Sequence, residues 1–541
     1  IQRLLPPVPD IPHTATNALF GHAVSIDGST LAVGAMLDSQ SVSQDGAVYV
    51  FGRGPDSWIQ LDLLTSPVIQ PSQLFGLSVA VRGELLLVST VAGSSHLFRR
   101  MDSGVPGDPL DDTWALETTL PTPGGGNQVP TALTDTTAVI GTPDPGSGLA
   151  YVYGLADDGT WFSQGPLAPS ETQQRPVDFG FSVAVTDDVL VIGDPGDAQF
   201  GDDVGSVHVY ARSDLGTPDP GDDAWILREV LYPLSLQIVS KRFGTSVAVR
   251  HDEVIVGAPG ADAAVYVFTR DEHGTEDPLD DTWGWPTAVL APPDTTLGVG
   301  LALDGDRLLV RGDALDDGVM RQMGLVFEES DTGEWTEVGR MRPFEALELS
   351  PSVGLSGRDA LFGSDLYGSP SATAGTAWLF DLFAPSPWQD LGNGKVSEVW
   401  HVDPRLSGQG RIDDGQVHLA ASELPLGVPA WIVFGFSTIH APFRGGVFVP
   451  SPDVLVAWGT PYFWSEEEIP ITWPAGISSG FALFVQFWFL DATGPQSWSA
   501  TNAISVTQPL RWWDAWRPRA ARSPACAGVE GRRSPGRRRT R

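Results

Sequence analysis

Three acidic segments of one pattern recur in this chain: GDPLDDTW (Gly107 to Trp114), PDPGDDAW (Pro218 to Trp225) and EDPLDDTW (Glu276 to Trp283). They align Asp108, Asp111 and Asp112 with Asp219, Asp222 and Asp223, and with Asp277, Asp280 and Asp281. Carboxylates so spaced around a Pro turn could converge on Ca2+, a hard cation that gathers several oxygen ligands. The same residues are natural Asx-turn formers inside a long hairpin loop, which is the simpler reading. A further acidic loop carries Asp194, Asp197, Asp202 and Asp203. It is a second candidate for Ca2+, with an acidic solvated turn as the plainer account.

Covalent chemistry has little to build on. The sequence contains no HExxH, no Walker loop and no dinucleotide fingerprint. Gly476-Ile477-Ser478-Ser479-Gly480 matches the G-x-S-x-G pattern, but a nucleophile elbow needs a strand, a sharp turn and then a helix. Here the motif runs into an apolar strand pattern beginning at Phe481. Nine His are scattered along the chain, and His22 and His208 fall inside strand patterns, where a structural histidine is expected. No catalytic residue and no cofactor other than Ca2+ is assigned.

Charge narrows the partners. The 541 residues carry a formal net charge of −35, which argues against a nucleic-acid ligand, because phosphate backbones are held by clustered Lys and Arg. The exception is the end of the chain, where Leu510 to Arg541 holds ten Arg against Asp514 and Glu530. The single cysteine, Cys526, lies in that stretch, so the rest has no disulfide, thiolate metal site or cysteine nucleophile. No apolar run reaches transmembrane length and Ile1 is not an initiator Met, so a signal peptide is expected to have been removed or to lie outside this chain.

The elements that must position these residues are strands. With 61 Gly, 45 Pro and only 18% charged residues, the composition suits many short strands and tight turns. Seven ungapped registers begin at Phe20, Phe75, Asn127, Phe179, Phe243, Leu297 and Leu349, spaced 55, 52, 52, 64, 54 and 52 residues apart. Each is a hairpin: apolar positions alternate with period two, as in Val24, Ile26, Leu31 and Val33, and break at turns such as Asp27-Gly28 or Asp304-Gly305.

A third strand follows at GAVYVF (Gly46 to Phe51), GLAYVY (Gly148 to Tyr153), GSVHVY (Gly205 to Tyr210), AAVYVF (Ala263 to Phe268) and GTAWLF (Gly375 to Phe380). A fourth is expected to begin near Trp58, Trp114, Trp161, Trp225, Trp283 or Trp285, and Trp335. Repeats near 50 residues with four strands each are propeller blades. The seventh repeat lacks its fourth strand, and IQRLLPP (Ile1 to Pro7) resembles the fourth-strand segments WIQLDLL and WALETTLP. The fold expected for residues 1–384 is therefore an all-β, seven-bladed β-propeller whose N-terminal strand completes the last blade and removes an open edge.

Phe243-Gly244 preceding Val256-Gly257-Ala258-Pro259 is an FG-GAP signature, and Ile192-Gly193-Asp194-Pro195 and Val33-Gly34-Ala35-Met36 come close to its second half. The repeat resembles the FG-GAP propellers of integrin α-chain heads and of many bacterial secreted proteins. That resemblance implies an extracellular interaction scaffold, often with calcium in the loop after GAP. This chain departs from the calcium spacing: the blade-four loop lacks D-x-D-x-D-G, and blade one has only Asp38 and Asp45. Arg311-Gly312-Asp313 spells a tripeptide that some integrins recognise as ligand, but it occupies a degenerate repeat position, and coincidence is the simpler account.

Past Trp388 the repeat stops. GRIDDGQVHLAAS, PAWIVFGFST, GGVFVP, EIPITWP and FALFVQFWFLDA are candidate strands, the last apolar on both faces and suited to a central buried position. Residues 385–508 are expected to form a β-sandwich. They resemble a C-terminal module of bacterial secreted proteins, and their aromatics read as core before they read as a sugar cleft. The segment 509–541 is expected to be disordered, its reversed charge resembling an out-of-frame extension of a GC-rich gene, with a genuine basic tail as the alternative.

Together these features lead to the expectation of a monomeric, secreted or cell-surface, non-enzymatic binding or adhesion protein with a protein or glycan ligand on the propeller's loop face and no membrane span. A lectin-like sugar binder is the second reading, and a hydrolase or lyase on a propeller the third.

Overall fold

The computed structural model describes residues 2–4, 18–54, 57–102, 104, 110–123, 126, 128–144, 148–169, 178–215, 223–234, 240–275, 277–316, 319–342, 346–364, 366–367, 375–382, 388–392, 405–409, 416–422, 428–443, 446–459, 467–472, 482–490, 498–501 and 503–507. The Gly476 to Gly480 motif, Asp108, Asp219, Asp222 and the Arg-rich segment 509–541 lie outside them. The chain divides into two units, Ile1–Pro385 and Ser386–Arg541.

In the first unit every hairpin read from the sequence forms. Blade 1 shows the pattern: Phe20–Asp27 pairs with Thr30–Ala35, then Ala47–Arg53, then Trp58–Thr65, all antiparallel. Its second strand is buried at every position because both faces are covered, which is why Thr30 to Ala35 is nearly continuous in small and apolar residues. Seven such four-stranded sheets occur among the described residues, and no helix does. Blade 5 departs from expectation. Its outer strand is only Ala288–Leu290, not a strand led by Trp283 or Trp285. Trp283 is buried and joins the core, whereas Trp285 is 70% exposed. Pro286 lacks the N–H a ladder needs, and the chain regains the sheet only at Thr287, which donates to the Val267 carbonyl at 2.8 Å.

The repeat signature is used at the seams between blades. Phe20, Phe75, Phe179 and Phe243 are fully buried, each seated on aromatic rings of its own blade's third strand. Phe243, for example, meets Tyr266 and Phe268 edge-on at centroid distances of 5.4 and 6.0 Å. The glycine that follows has φ near +90°, and a Cβ there would run into the preceding blade's backbone: at Gly244 into the Ser206 carbonyl, at Gly21 into that of Thr376. The GAP glycine is the other half of the contact. A Cβ on Gly34, Gly141, Gly193, Gly257 or Gly363 would strike the carbonyl oxygen of Gly76, Gly180, Gly244, Gly298 or Gly21, the FG glycine of the next blade. Where one glycine of a pair is lost, so is the other: Ser89 with Gln128, and Arg311 with Ser350. At the second of these seams the Arg311 guanidinium replaces the contact by donating to the Leu349 carbonyl at 3.0 Å.

The last of these seams joins blade 7 to blade 1, so the sheets close as a ring. Gln2–Leu4 pairs antiparallel with Ala377–Leu379 and supplies blade 7 with its fourth strand. Leu4 is buried, and its carbonyl accepts from Thr376 Oγ1 at 3.0 Å. A rim clamp recurs around the ring. Gln2 exchanges two hydrogen bonds with the Trp58 backbone, at 2.8 and 3.0 Å. Asp62 accepts from Trp114 N at 3.1 Å, Glu117 from Trp161 Nε1 at 2.8 Å, Gln164 from Trp225 Nε1 at 3.0 Å and Glu229 from Trp283 N at 2.7 Å. The outer-strand tryptophans of blades 1 to 4, and Trp283 in the loop before the outer strand of blade 5, are thus each held by a polar residue of the blade before.

The second unit is also all strand where described. Trp388–Gly392, Ala503–Thr507, Ala482–Leu490, Pro429–Gly435 and Val454–Gly459 follow one another across one sheet, with Trp498–Ala500 also pairing the third of them. Ala482–Leu490 therefore lies inside the sheet, with Phe487, Trp488 and Phe489 almost fully buried. A second sheet, Arg405–Gln409, Gln416–Ser422 and Glu467–Thr472, shares a core with the first through Leu406, Leu419 and Ala421. A two-stranded ribbon of Thr438–Phe443 and Gly446–Pro450 completes the described strands.

Candidate interaction surface

Antiparallel order places the acidic segments on opposite rims of the propeller. Connections between strands one and two, and between three and four, leave each blade at one end; the remaining connections leave at the other. The described residues of the DPxDDxW segments therefore belong to the hairpin-turn rim, and Asp194 to Asp203 to the opposite, loop rim.

On the turn rim the last aspartate of each motif is an internal ion-pair partner. Asp112 lies 3.5 Å from Arg100 Nε, Asp223 pairs with Arg212, and Asp281 accepts from Arg270 Nε at 2.6 Å. Each arginine stands near the end of its blade's third strand, so the pair closes the loop leading to the outer strand. Asp277 accepts from Leu279 N at 2.9 Å, an Asx turn, and Asp280 accepts from Thr275 Oγ1 at 2.8 Å. Asp111 and Asp112 come together with Asp102, one oxygen of each within 4.8 Å of the others. This trio could take a hard cation, but the Arg100 guanidinium already supplies positive charge to Asp112. The donor set therefore fits Ca2+ poorly.

The turns themselves are stitched from blade to blade. Gly83 N donates to Asp27 at 2.7 Å, Gly28 N to Ser356 Oγ at 3.0 Å, and Arg250 to the Gly305 carbonyl at 2.9 Å. Arg270 reaches back to Asp188 at 2.6 Å, and Arg53 pairs with Asp359.

On the loop rim, the blade-four aspartates do not converge. Asp194 accepts from Asp178 N at 3.0 Å and Asp197 from Gln199 N at 2.9 Å, both buried. Asp202 and Asp203 act through their backbone carbonyls, which take Ser240 N and Arg242 N. Blade 1 shows why these loops are acidic: Asp45 accepts three backbone N–H groups, from Gln40, Ser41 and Val42, and Asp38 accepts from Tyr49 Oη at 2.7 Å. Burial, and then Asp38, push the Tyr49 hydroxyl well above its usual range.

This rim also offers apolar side chains to solvent. Phe200 packs edge-on against Tyr232 at 4.8 Å, and Tyr232 Oη donates to Gln199 Oε1 at 2.9 Å. Phe200 and the neighbouring Leu234 are exposed, as are Val68 and Ile69 in the connection from blade 1 to blade 2. Sequence reading missed this patch because Phe200 sits among the carboxylates that drew attention to its loop. Arg311 is buried within a strand, so Arg311-Gly312-Asp313 is not displayed as a loop. The central channel, a cavity of about 280 Å3, is lined by aliphatic residues of the inner strands such as Ile26, Leu133, Val185, Val249 and Leu303, with Ser25 contributing a hydroxyl.

Two buried histidines stand at one repeat position. His96 lies against Phe75, with Nδ1 3.0 Å from Thr119 Oγ1, and His208 lies edge-on to Phe179 at 5.0 Å. Burial pushes both imidazoles down to about 4.

Three stretches, residues 12–51, 161–210 and 239–268, match the family model described as FG-GAP repeat. The chain is a β-propeller protein built on FG-GAP repeats. A comparison with curated proteins returns no match. Among solved structures it is similar to the Cps50 (Swd1) β-propeller domain of Myceliophteria thermophila, at 12% identity and TM-score 0.44, covering 69% of this chain and 99% of that one. It is also similar to the AfRom2 CNH domain, at 11% identity and TM-score 0.36, covering 70% and 99%. Neither likeness bears on what this chain binds. No helix among the described residues is long and apolar enough to cross a membrane.

Proposed function

We propose that this protein is a non-enzymatic binding or adhesion protein of the cell exterior, and that its ligand is a protein seated on the loop rim around Phe200, Tyr232 and Leu234. The observation that supports this reading is the exposed Phe200 ring packed on half-buried Tyr232 at that rim, with the tyrosine hydroxyl hydrogen-bonded to Gln199. Rigid aromatic anchors are what binding hot spots are made of, because they contribute contact area at little cost in side-chain entropy. The signature residues are otherwise committed. Phe and Gly are used at the seams, and the acidic residues hold arginines and backbone amides.

A lectin-like role is the second reading, favoured by the same pair, since aromatic faces also stack on sugar rings. A glycan array and a pull-down from extracellular matrix, run with the parent and with Phe200→Ala/Tyr232→Ala, separate the two. Capture of a defined protein that the double variant loses at least tenfold supports the proposal. Saturable, sugar-specific binding replaces it with the lectin reading. Equal binding by parent and variant moves the contact surface elsewhere.

A further inference from the structure

The seam between blades 5 and 6 carries a buried charge cluster of unequal sign. Arg250 ends the inner strand of blade 5, and its Nη2 is shared by two carboxylates: Glu253 of the same blade at 3.0 Å and Glu329 of blade 6. Asp252, at the hairpin turn, is 3.0 Å from Nε of the same guanidinium. The side chains of Glu253 and Glu329 are 5% and 15% exposed, whereas Asp252 faces water at 59%. The guanidinium also lies over the Trp335 ring of blade 6, 5.6 Å from its centroid, and donates to the Gly305 carbonyl of the same blade. One arginine thus joins two blades while balancing one of two buried acids.

The surrounding charges are engaged elsewhere. His251, next in the turn, faces Asp188 and Glu272, each at 3.3 Å. Arg270, just past the end of the strand that pairs Glu253, is held by Asp188 and Asp281. Arg307 of blade 6 is held by Glu328 at 2.7 Å. The residue directly across from Glu253 in the next strand is Thr269, which is uncharged. At the position of Glu253 the other blades hold Thr30, Leu85, Thr137, Val189, Arg307 and Asp359; the one other acid, Asp359 of blade 7, pairs with Arg53 of blade 1, so among the described residues only at the blade 5–blade 6 seam does one arginine nitrogen serve two buried carboxylates.

We propose that the blade 5–blade 6 seam is a proton-operated latch: with Glu253 protonated the Arg250 bridge to Glu329 closes the seam, and loss of that proton loosens it. Two carboxylates on one nitrogen cannot both stay ionised out of water without cost, and the more buried one takes the proton. Burial, opposed by Arg250 and reinforced by Glu329 and Asp252, lifts Glu253 to about 7. The sign follows. A folded-state value above the unfolded 4.5 means that the native state binds the extra proton between about 4.5 and 7, so the seam weakens as pH rises through that window.

Hydrogen exchange of the full chain at pH 5, 6, 7 and 8 tests this, with Glu253→Gln as the pH-insensitive reference at each pH. Relative to that variant, opening of peptides covering Ser246–Ala258 and Arg307–Glu329 should rise up to about tenfold per pH unit between pH 5 and 7 in the parent and then level off. A second variant, Glu329→Gln, removes the competing charge and should move the parent's midpoint down by a measurable fraction of a pH unit. A parent-to-Glu253→Gln ratio that does not change with pH overturns the latch, as does a midpoint that Glu329→Gln leaves in place.

Discussion

Removing residues 1–7 tests the ring closure most directly. The deletion takes away the three-residue ladder of Gln2–Leu4 on Ala377–Leu379, the Thr376–Leu4 hydrogen bond, the Gln2–Trp58 clamp and the buried Leu4 side chain. Burying a leucine is worth roughly 2 kcal/mol, and each net hydrogen bond about 1 kcal/mol, so with about two ladder bonds added to the three side-chain bonds the loss comes to about 7 kcal/mol. It also leaves the third strand of blade 7 with an unpaired edge, which invites association with other chains. Against a total stability of order 10 kcal/mol, such a loss should lower the propeller's melting temperature by roughly 10 °C. Differential scanning calorimetry at several protein concentrations is the assay. Leu4→Ala, which spares the ladder, should lose about 2 to 3 kcal/mol of the same total. A truncated protein that melts within about 1 °C of the parent would refute the closure, since no other element among the described residues pairs with that edge.

Other perturbations separate the roles assigned above. Gly28 and Gly244 both have positive φ, but a Cβ at Gly28 meets nothing within 4 Å whereas at Gly244 it meets the Ser206 carbonyl. Gly28→Ala should therefore cost about 1 kcal/mol and Gly244→Ala clearly more, by chemical denaturation; equal costs would remove the seam argument. His96 and His208 have folded-state values of about 4, below the unfolded 6.5, so the unfolded chain binds more protons between those limits and stability should fall as pH drops through that window. The slope is up to about 1.4 kcal/mol per pH unit for each histidine, and a His96→Gln/His208→Gln variant should flatten it. With Asp112, Asp223 and Asp281 engaged by arginines, excess EDTA should leave the melting temperature unchanged; a saturating structural ion would instead add about 2.7 kcal/mol at ~100 times its dissociation constant.

The sequence by itself determined the repeat. Period-two alternation and Asp-Gly turns depend only on neighbouring residues, so the hairpins could be placed before any partner was known. The same held for the strand at Gln2–Leu4, whose likeness to the outer strands was legible in its order of residues. Trp285 misled because a tryptophan says that a ring wants cover, while Pro286, one residue on, decides that the strand cannot form there. Tertiary structure alone decided what the signature is for. The Gly193 and Gly244 contact joins residues about fifty apart, and nothing in either hairpin announces that a backbone carbonyl will fill the space where a Cβ would be. Likewise the aspartates of the DPxDDxW segments had the right chemistry for a cation, and the arginine that meets Asp281 stands eleven residues earlier in the chain, at the far side of the loop. Short-range order is written in local residue types; whether a charge meets a metal, a guanidinium or another carboxylate depends on which strands the ring brings together.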